Sequence, residues 1–110
     1  MPKKNTQYSV YVVDLDKEVL DIKKFRDENP DYVDGYPCVY VGQTAKSPDD
    51  RFDQHKAGIK ANRYAQKYGL SLRYKLFEQY NPIATRKEAE YKEALLGEHL
   101  RKRGYAVWWN

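Results

Sequence analysis

The sequence has few of the residues that form cross-links or span membranes. Its 110 residues contain one cysteine, Cys38, and a lone thiol cannot form an internal disulfide, so a reducing, cytoplasmic location is expected. No run approaches the roughly 20 apolar residues that cross a bilayer, so the sequence predicts no membrane association. The start, Met1-Pro2-Lys3-Lys4-Asn5, is followed by no apolar segment, and no secretory signal is expected.

Histidines and repeats are also scarce. His55 and His99 are the two histidines of the sequence, which argues against a histidine-rich metal site. No internal repeat, low-complexity segment or zinc-finger motif is found, so no attached DNA-reading module is expected. A chain of this length is sufficient for one domain and too short for two, which predicts a single domain over residues 1–110.

Charge is unevenly distributed along the chain. Residues 1–50 carry 7 Lys/Arg and 10 Asp/Glu, whereas residues 51–110 carry 13 and 6, so the net charge of +4 hides a basic second half. A one-sided basic surface favours polyanions such as DNA, and an ordinary solvated surface is the alternative. The candidate phosphate-binding residues are Lys56, Lys60, Arg63, Lys67, Arg101, Lys102 and Arg103.

Three segments have the composition of β-strands. Residues 7–13 and 38–42 are rich in β-branched and aromatic residues, and residues 71–77 alternate apolar with polar residues, as in a half-buried strand. Between the first two lies an acidic insert, at about residues 14–37, with a short helix expected over residues 17–26.

Two helices have clear boundary signals. Ser47 is a good N-cap before a helix that begins at Pro48 and extends into the region 61–67, with Gly58 as its weak point. A capping box at Thr85 predicts a second helix over residues 86–103.

A short tail, residues 105–110, follows the second helix. Its two tryptophans could stack on nucleic-acid bases or close the core. The element order therefore predicts a small three-stranded sheet with helices packed around it.

Four polar residues on these elements are candidates for chemistry. Tyr11 and Tyr40 lie on the first two strands, and both phenols would emerge on one face if those strands are neighbours. Arg51 and His55, four residues apart, would place a phosphate-binding guanidinium beside an imidazole. The alternatives are structural, because tyrosines are common in strands and an Arg–His pair suits a solvated helix face.

The last helix carries a candidate metal ligand. One stripe carries Tyr91, Ala94, Leu95 and Glu98, and a second carries Ala89, Leu96 and Leu100. Because Glu98 shares a stripe with apolar residues, we expect it to be partly enclosed, and an enclosed carboxylate needs a partner. That partner is either a Mg²⁺-type ion or a neighbouring Arg or Lys.

In chain order, these features resemble the GIY-YIG endonuclease superfamily. Ser9-Val10-Tyr11 stands where the family has Gly-Ile-Tyr, and Tyr40-Val41-Gly42 where it has Tyr-Ile-Gly. Residues 51–55 have the Arg-x-x-x-His spacing. Residues 93–103 with the closing Asn110 resemble the end of the nuclease domain in the bacterial excision-repair incision protein.

The sequence departs from the family pattern at two points, and the pattern also distinguishes between two glutamates of the last helix. Ser9 replaces the first glycine, and the insert at residues 14–37 is longer than is usual in the family. In the family pattern the second glutamate of the last helix is the metal ligand, so Glu98 is the match and Glu93 is not.

The resemblance implies a fold and a mechanism. The fold is an α/β (α+β) domain with a three-stranded, mostly antiparallel sheet flanked by helices. The activity is hydrolysis of DNA phosphodiesters by an activated water, with one Mg²⁺ or Mn²⁺ ion held by Glu98. The implied roles are general base for Tyr11, substrate positioning for Tyr40, charge stabilisation for Arg51, proton transfer for His55 and support of the hydrogen-bond network for Asn110.

Two other functions remain open at this point. A non-catalytic nucleic-acid-binding module on the same fold would explain the basic half, although it would not require the two tyrosines, the Arg–His pair and the glutamate together. A protein-interaction domain would use the acidic insert as its contact surface.

Overall fold

A four-stranded sheet forms the centre of the protein, which we describe from a computed structural model over residues 7–110. The start of the chain, Met1–Asn5, where no signal sequence was expected, lies outside the described residues. The strands are β1 (Ser9–Leu15), β2 (Cys38–Thr44), β3 (Gly69–Leu72) and β4 (Ala106–Trp109). The helices are α1 (Lys23–Asp27), α2 (Pro48–Ala57), α3 (Arg63–Tyr68) and α4 (Arg86–Lys102).

The sheet has one strand more than predicted, and it is mixed. Its order is β3–β1–β2–β4, in which β1 pairs antiparallel with β2 and β3 while β4 pairs parallel with β2. The expectation of three mostly antiparallel strands was therefore wrong, because the tail forms β4. Val107, Trp108 and Trp109 are of types that favour strands, but so short a segment does not form a strand alone, and it becomes one because the edge of β2 accepts its hydrogen bonds. The α+β class is confirmed.

Two predicted elements are interrupted in the structure. The helix that begins at Pro48 ends at Ala57, because Gly58 adopts a left-handed φ of 83°, and α3 begins separately after Asn62, whose side chain caps it. The strand expected over residues 71–77 lies instead at Gly69–Leu72. After Arg73, whose N–H still donates to the Val12 carbonyl oxygen at 2.9 Å, the chain leaves β1 and forms two 3-10 turns. The alternating pattern beyond that residue therefore does not reflect sheet pairing.

The acidic insert closes the exposed edge of β4. It forms a 3-10 turn at Lys17–Asp21 followed by the short α1, in place of one continuous helix. The buried Asn29 side chain donates to the carbonyl oxygen of Val107 at 3.1 Å and accepts from the Val107 N–H at 2.7 Å. Asn29 also accepts from Arg101 Nε at 3.0 Å. One amide thus takes the place of a neighbouring strand at this edge.

The tryptophans of β4 lie in the packed layers on both sides of the sheet. Side chains alternate along a strand, and Trp108 packs against Tyr64 of α3, with ring centroids 4.9 Å apart. Trp109 lies against Gly97 of α4, where a methyl group would overlap its ring. Both tryptophans therefore close the core, as the structural alternative proposed. Within residues 7–110, no helix combines the length and apolar character that a bilayer crossing requires.

We predict that Asn29→Ala lowers the free energy of unfolding by on the order of 3 kcal/mol, since it leaves the Val107 N–H and the Arg101 Nε–H without an acceptor inside the protein. Urea denaturation measures the change. Asp31→Ala, an exposed change in the same insert, is the control and should alter stability by less than about 0.5 kcal/mol. Equal effects of the two variants would refute this role for Asn29.

Candidate active site

The two phenols meet because β1 and β2 are neighbours. The antiparallel register places Tyr11 directly opposite Gly42, and Tyr40 lies two residues before Gly42, on the same face. The Tyr11 and Tyr40 ring centroids are 6.2 Å apart. Gly42 leaves space for this arrangement, since a Cβ at that position would overlap the Tyr11 phenol oxygen. The prediction that both phenols share one face is confirmed.

His55 is buried beside Tyr11, and its hydrogen bonds determine its tautomer. Nε2 lies 2.8 Å from the Tyr11 hydroxyl, and Nδ1 accepts from the backbone N–H of Asn62 at 3.1 Å. Burial and the Arg51 charge lower the pKa of His55 to about 4, so the ring is neutral at pH 7. Because Nδ1 is an acceptor, the single ring proton is on Nε2, and His55 donates to the Tyr11 oxygen.

Arg51 supplies positive charge to the same site. It is half-buried, and it donates to the carbonyl oxygens of Ile59 at 3.1 Å and Lys60 at 2.8 Å, so it also holds the loop between α2 and α3. Its charge acts to lower the pKa of both Tyr11 and Tyr40. Arg51 therefore favours the phenolate forms and a bound phosphate at one place.

Burial makes both phenols harder to ionise. Burial, followed by the influence of Tyr40, raises the pKa of Tyr11 far above its ordinary value. Burial and the Glu93 carboxylate raise the pKa of Tyr40 to about 12, while Arg51 and the Tyr11 hydroxyl act in the opposite direction. Asn110 Nδ2 also donates to the Tyr40 oxygen at 3.1 Å. Both phenols therefore hold their protons more tightly than a solvated tyrosine does, and Arg51 opposes this effect at each of them.

A polar cavity of about 440 Å³ connects these groups with α4. It is lined by Tyr11, Tyr40, Gln43, Arg51, Glu90, Glu93 and Asn110. Glu93 is 8% exposed, and burial and the charge of Glu90 raise its pKa to about 7. Within residues 7–110 the ion pairs are Lys23–Asp27 and Arg73–Asp14, so the Glu93 carboxylate has no cationic partner among them.

The predicted metal ligand, Glu98, is not at this cavity. It is exposed and lines a separate shallow pocket with Asp31, Arg101 and Lys102. Glu98 lies five positions after Glu93 in the chain, and at 3.6 residues per turn this places their side chains about 140° apart around the helix. The stripe expected to enclose Glu98 faces solvent, as the exposures of Tyr91 (68%) and Leu95 (40%) show.

Glu93 was set aside in favour of Glu98 although the sequence carries a signal for its burial. It lies four residues after Ala89 and three before Leu96, so it belongs to the other stripe, which is buried against the sheet. A charged residue within an apolar stripe marks a buried carboxylate, and that signal was available without the structure.

The predicted phosphate-binding residues fall into two groups. Lys56 donates to the carbonyl oxygens of Gln66 and Gly69, and Arg101 to that of Val107, so these two side chains hold the fold together. The other residues of the set are exposed: Lys60, Arg63, Lys67, Lys102 and Arg103.

The comparison with known families agrees with this geometry. A family model described as the GIY-YIG catalytic domain matches residues 35–106, which is more than half of the chain. The chain belongs to this family. The GIY-YIG match begins just before β2, so Tyr11 lies outside it and reaches the site through strand pairing. The GIY-YIG superfamily is one of nucleases. Comparisons with curated proteins and with solved structures gave no match.

We predict that Glu90→Gln lowers the pKa of Glu93 from about 7, since it removes a negative neighbour that favours the protonated form. Carbon-detected NMR titration of the glutamate carboxyl groups measures the shift. Glu98→Gln, on the solvent side of the same helix, is the matched control and should leave the Glu93 titration unchanged. An unchanged pKa in Glu90→Gln would show that the two carboxylates do not interact.

Proposed function

We propose that this protein is a metal-dependent endonuclease that hydrolyses DNA phosphodiester bonds at the cavity between β1, β2 and α4. The observation that carries the proposal is the meeting of two phenols, a guanidinium and a buried carboxylate without a cationic partner around one polar cavity. A module that only bound nucleic acid would have no need to bury Glu93 among phenols, because burial of an unpaired carboxylate is costly.

The residues at the cavity fit a hydrated divalent cation. Among residues 7–110, no three His, Cys, Asp or Glu side chains are grouped as a complete metal cage. Mg²⁺ and Mn²⁺ sites of nucleic-acid enzymes need only one or two carboxylates, because the ion keeps several waters. Glu93 would hold the ion, with Glu90 beside it. A bound ion polarises the phosphate and stabilises the leaving oxygen.

The remaining groups divide the work of the reaction. Arg51 neutralises the charge that develops on the phosphate. Tyr11, as the phenolate that the His55 N–H and the Arg51 charge favour, takes the proton of the attacking water, the role that the family resemblance implied for it. Tyr40 positions that water. Asn110 holds the Tyr40 oxygen in place.

The raised pKa of Glu93 has opposite consequences for activity and stability. Below about pH 7 the carboxyl is protonated and binds a cation poorly, so we predict that cleavage rises as the pH passes through this value. Without metal, the folded state holds this proton more tightly than the unfolded state does. The metal-free protein should therefore lose stability as the pH rises from about 4.5 to about 7.

Thermal melts with and without Mn²⁺ measure how far metal binding at Glu93 stabilises the protein, independently of activity. At about pH 8, Mn²⁺ should raise the Tm of the wild type, because the ion binds only the folded state. Glu93→Gln should show a smaller Mn²⁺ shift and a higher metal-free Tm than the wild type. An equal Mn²⁺ shift in both proteins would place the ion elsewhere.

Nicking of supercoiled plasmid with Mg²⁺ or Mn²⁺ tests the activity. We predict that Glu93→Gln lowers the rate by on the order of 100- to 1,000-fold, as for loss of one group that stabilises the transition state. Glu78→Gln, an exposed change in a 3-10 turn, is the control and should cut as the wild type does.

Two outcomes would contradict the proposal. If folded wild type leaves the plasmid intact with both metals, the non-catalytic alternative stands instead. If Glu98→Gln is inactive while Glu93→Gln cuts normally, the metal ligand is the residue that the family resemblance indicated.

A further inference from the structure

A basic groove adjoins the cavity of the proposed active site. Its volume is about 690 Å³, and it shares Gln43 and Arg51 with that cavity. Its other cations are Lys46, Lys60 and Arg86, and among the described residues no Asp or Glu lines it. The groove is therefore a positively charged path that ends at the phenols and Glu93.

Three separate segments supply the cations, so folding alone creates the groove. Lys46 follows β2, Lys60 lies in the loop between α2 and α3, and Arg86 begins α4. Arg51 holds the carbonyl oxygen of Lys60 at 2.8 Å, which fixes the loop relative to the cavity. Among residues 7–110, neither ion pair includes any of these three cations, so their charges are available to a ligand.

The composition of the groove favours a phosphate backbone over unpaired bases. Proteins that bind single strands stack successive bases on aromatic side chains, and among the described residues no aromatic side chain lines this groove. Its cations are accompanied by the amide groups of Gln7, Gln43 and Gln54. Lysine, arginine and amide donors are the groups that contact DNA phosphates without reading sequence.

We propose that this groove binds the phosphodiester backbone of duplex DNA on its way to the cavity, with Lys46, Lys60 and Arg86 as phosphate contacts. The proposal rests on the function proposed above and makes it more specific. Lys46 and Arg86 were not among the residues expected from charge alone, whereas the expected Lys56 and Arg101 are occupied by backbone carbonyls.

Binding of a labelled duplex of about 20 base pairs, measured by fluorescence anisotropy without divalent metal, tests the groove apart from cleavage. The groove variant is Lys46→Ala/Lys60→Ala/Arg86→Ala. The control variant, Lys23→Ala/Lys75→Ala/Lys87→Ala, removes the same charge from exposed positions outside the groove. Lys87 is adjacent to Arg86 on α4, so Arg86→Ala and Lys87→Ala form a second matched pair if the triple variant does not fold.

The groove variant should bind the duplex about 10- to 100-fold more weakly than the wild type. The slope of log affinity against log salt should become shallower by about 2.7, because each lost phosphate contact contributes about 0.9. The control variant should change affinity by less than about threefold, since unspecific charge acts over distances that salt screens.

Two results would overturn the proposal: equal losses in the two variants, or binding of the single strand as tightly as the duplex. The outcome is separable from that of the proposed function. If the groove variant alone loses duplex binding and the wild type never nicks plasmid, the groove proposal stands and the nuclease proposal is refuted. Nicking by the groove variant at the rate of the control variant would refute the groove and uphold the nuclease activity.

Discussion

The antiparallel pairing of β1 with β2 is the contact on which the rest of the site depends. It places Tyr11 opposite Gly42, the one residue type that leaves space for a phenol at that point. A shift of the register by one residue would turn Tyr11 to the other face of the sheet. His55 would then lose the phenol to which it donates, and the cavity would lose a wall. The geometry of the candidate site is thus a property of the sheet register.

Charge balance is the second constraint on the site. Glu93 is buried next to Glu90 and two phenols, and the Glu93 carboxyl and both phenols resist ionisation in this setting. Arg51 opposes this effect, but it also holds the neighbouring loop. A divalent cation would relieve the remaining imbalance. The arrangement therefore keeps the Glu93 carboxyl protonated to a higher pH than is usual for a glutamate.

The acidic and basic halves of the chain have separate tasks in the fold. The acidic insert contains Asn29, whose side chain hydrogen-bonds to the edge of β4, and it places Phe25 against Tyr64. The insert therefore completes the core. The basic half supplies Lys60 and Arg86 to the groove beside the cavity. The charge asymmetry in the sequence therefore does not produce one uniform basic surface, since some cationic side chains donate hydrogen bonds to backbone carbonyl oxygens of the fold.

Local signals in the sequence determined the capped helix starts and the strands β1 and β2, because these depend on neighbouring residues and on alternation along a strand. The shared face of the two phenols followed from that alternation only once β1 and β2 paired. The stripe of Ala89 and Leu96 is the buried face of α4, on which Glu93 lies, but the stripe of Tyr91 and Leu95 was an equal candidate in the sequence. Tertiary structure alone decided the rest. The tail became β4 because β2 had a free edge, and the groove exists because three distant segments meet. That the buried face of α4 brings Glu93 to the phenols depended on how α4 packs against the sheet, and no motif of neighbouring residues encodes that packing.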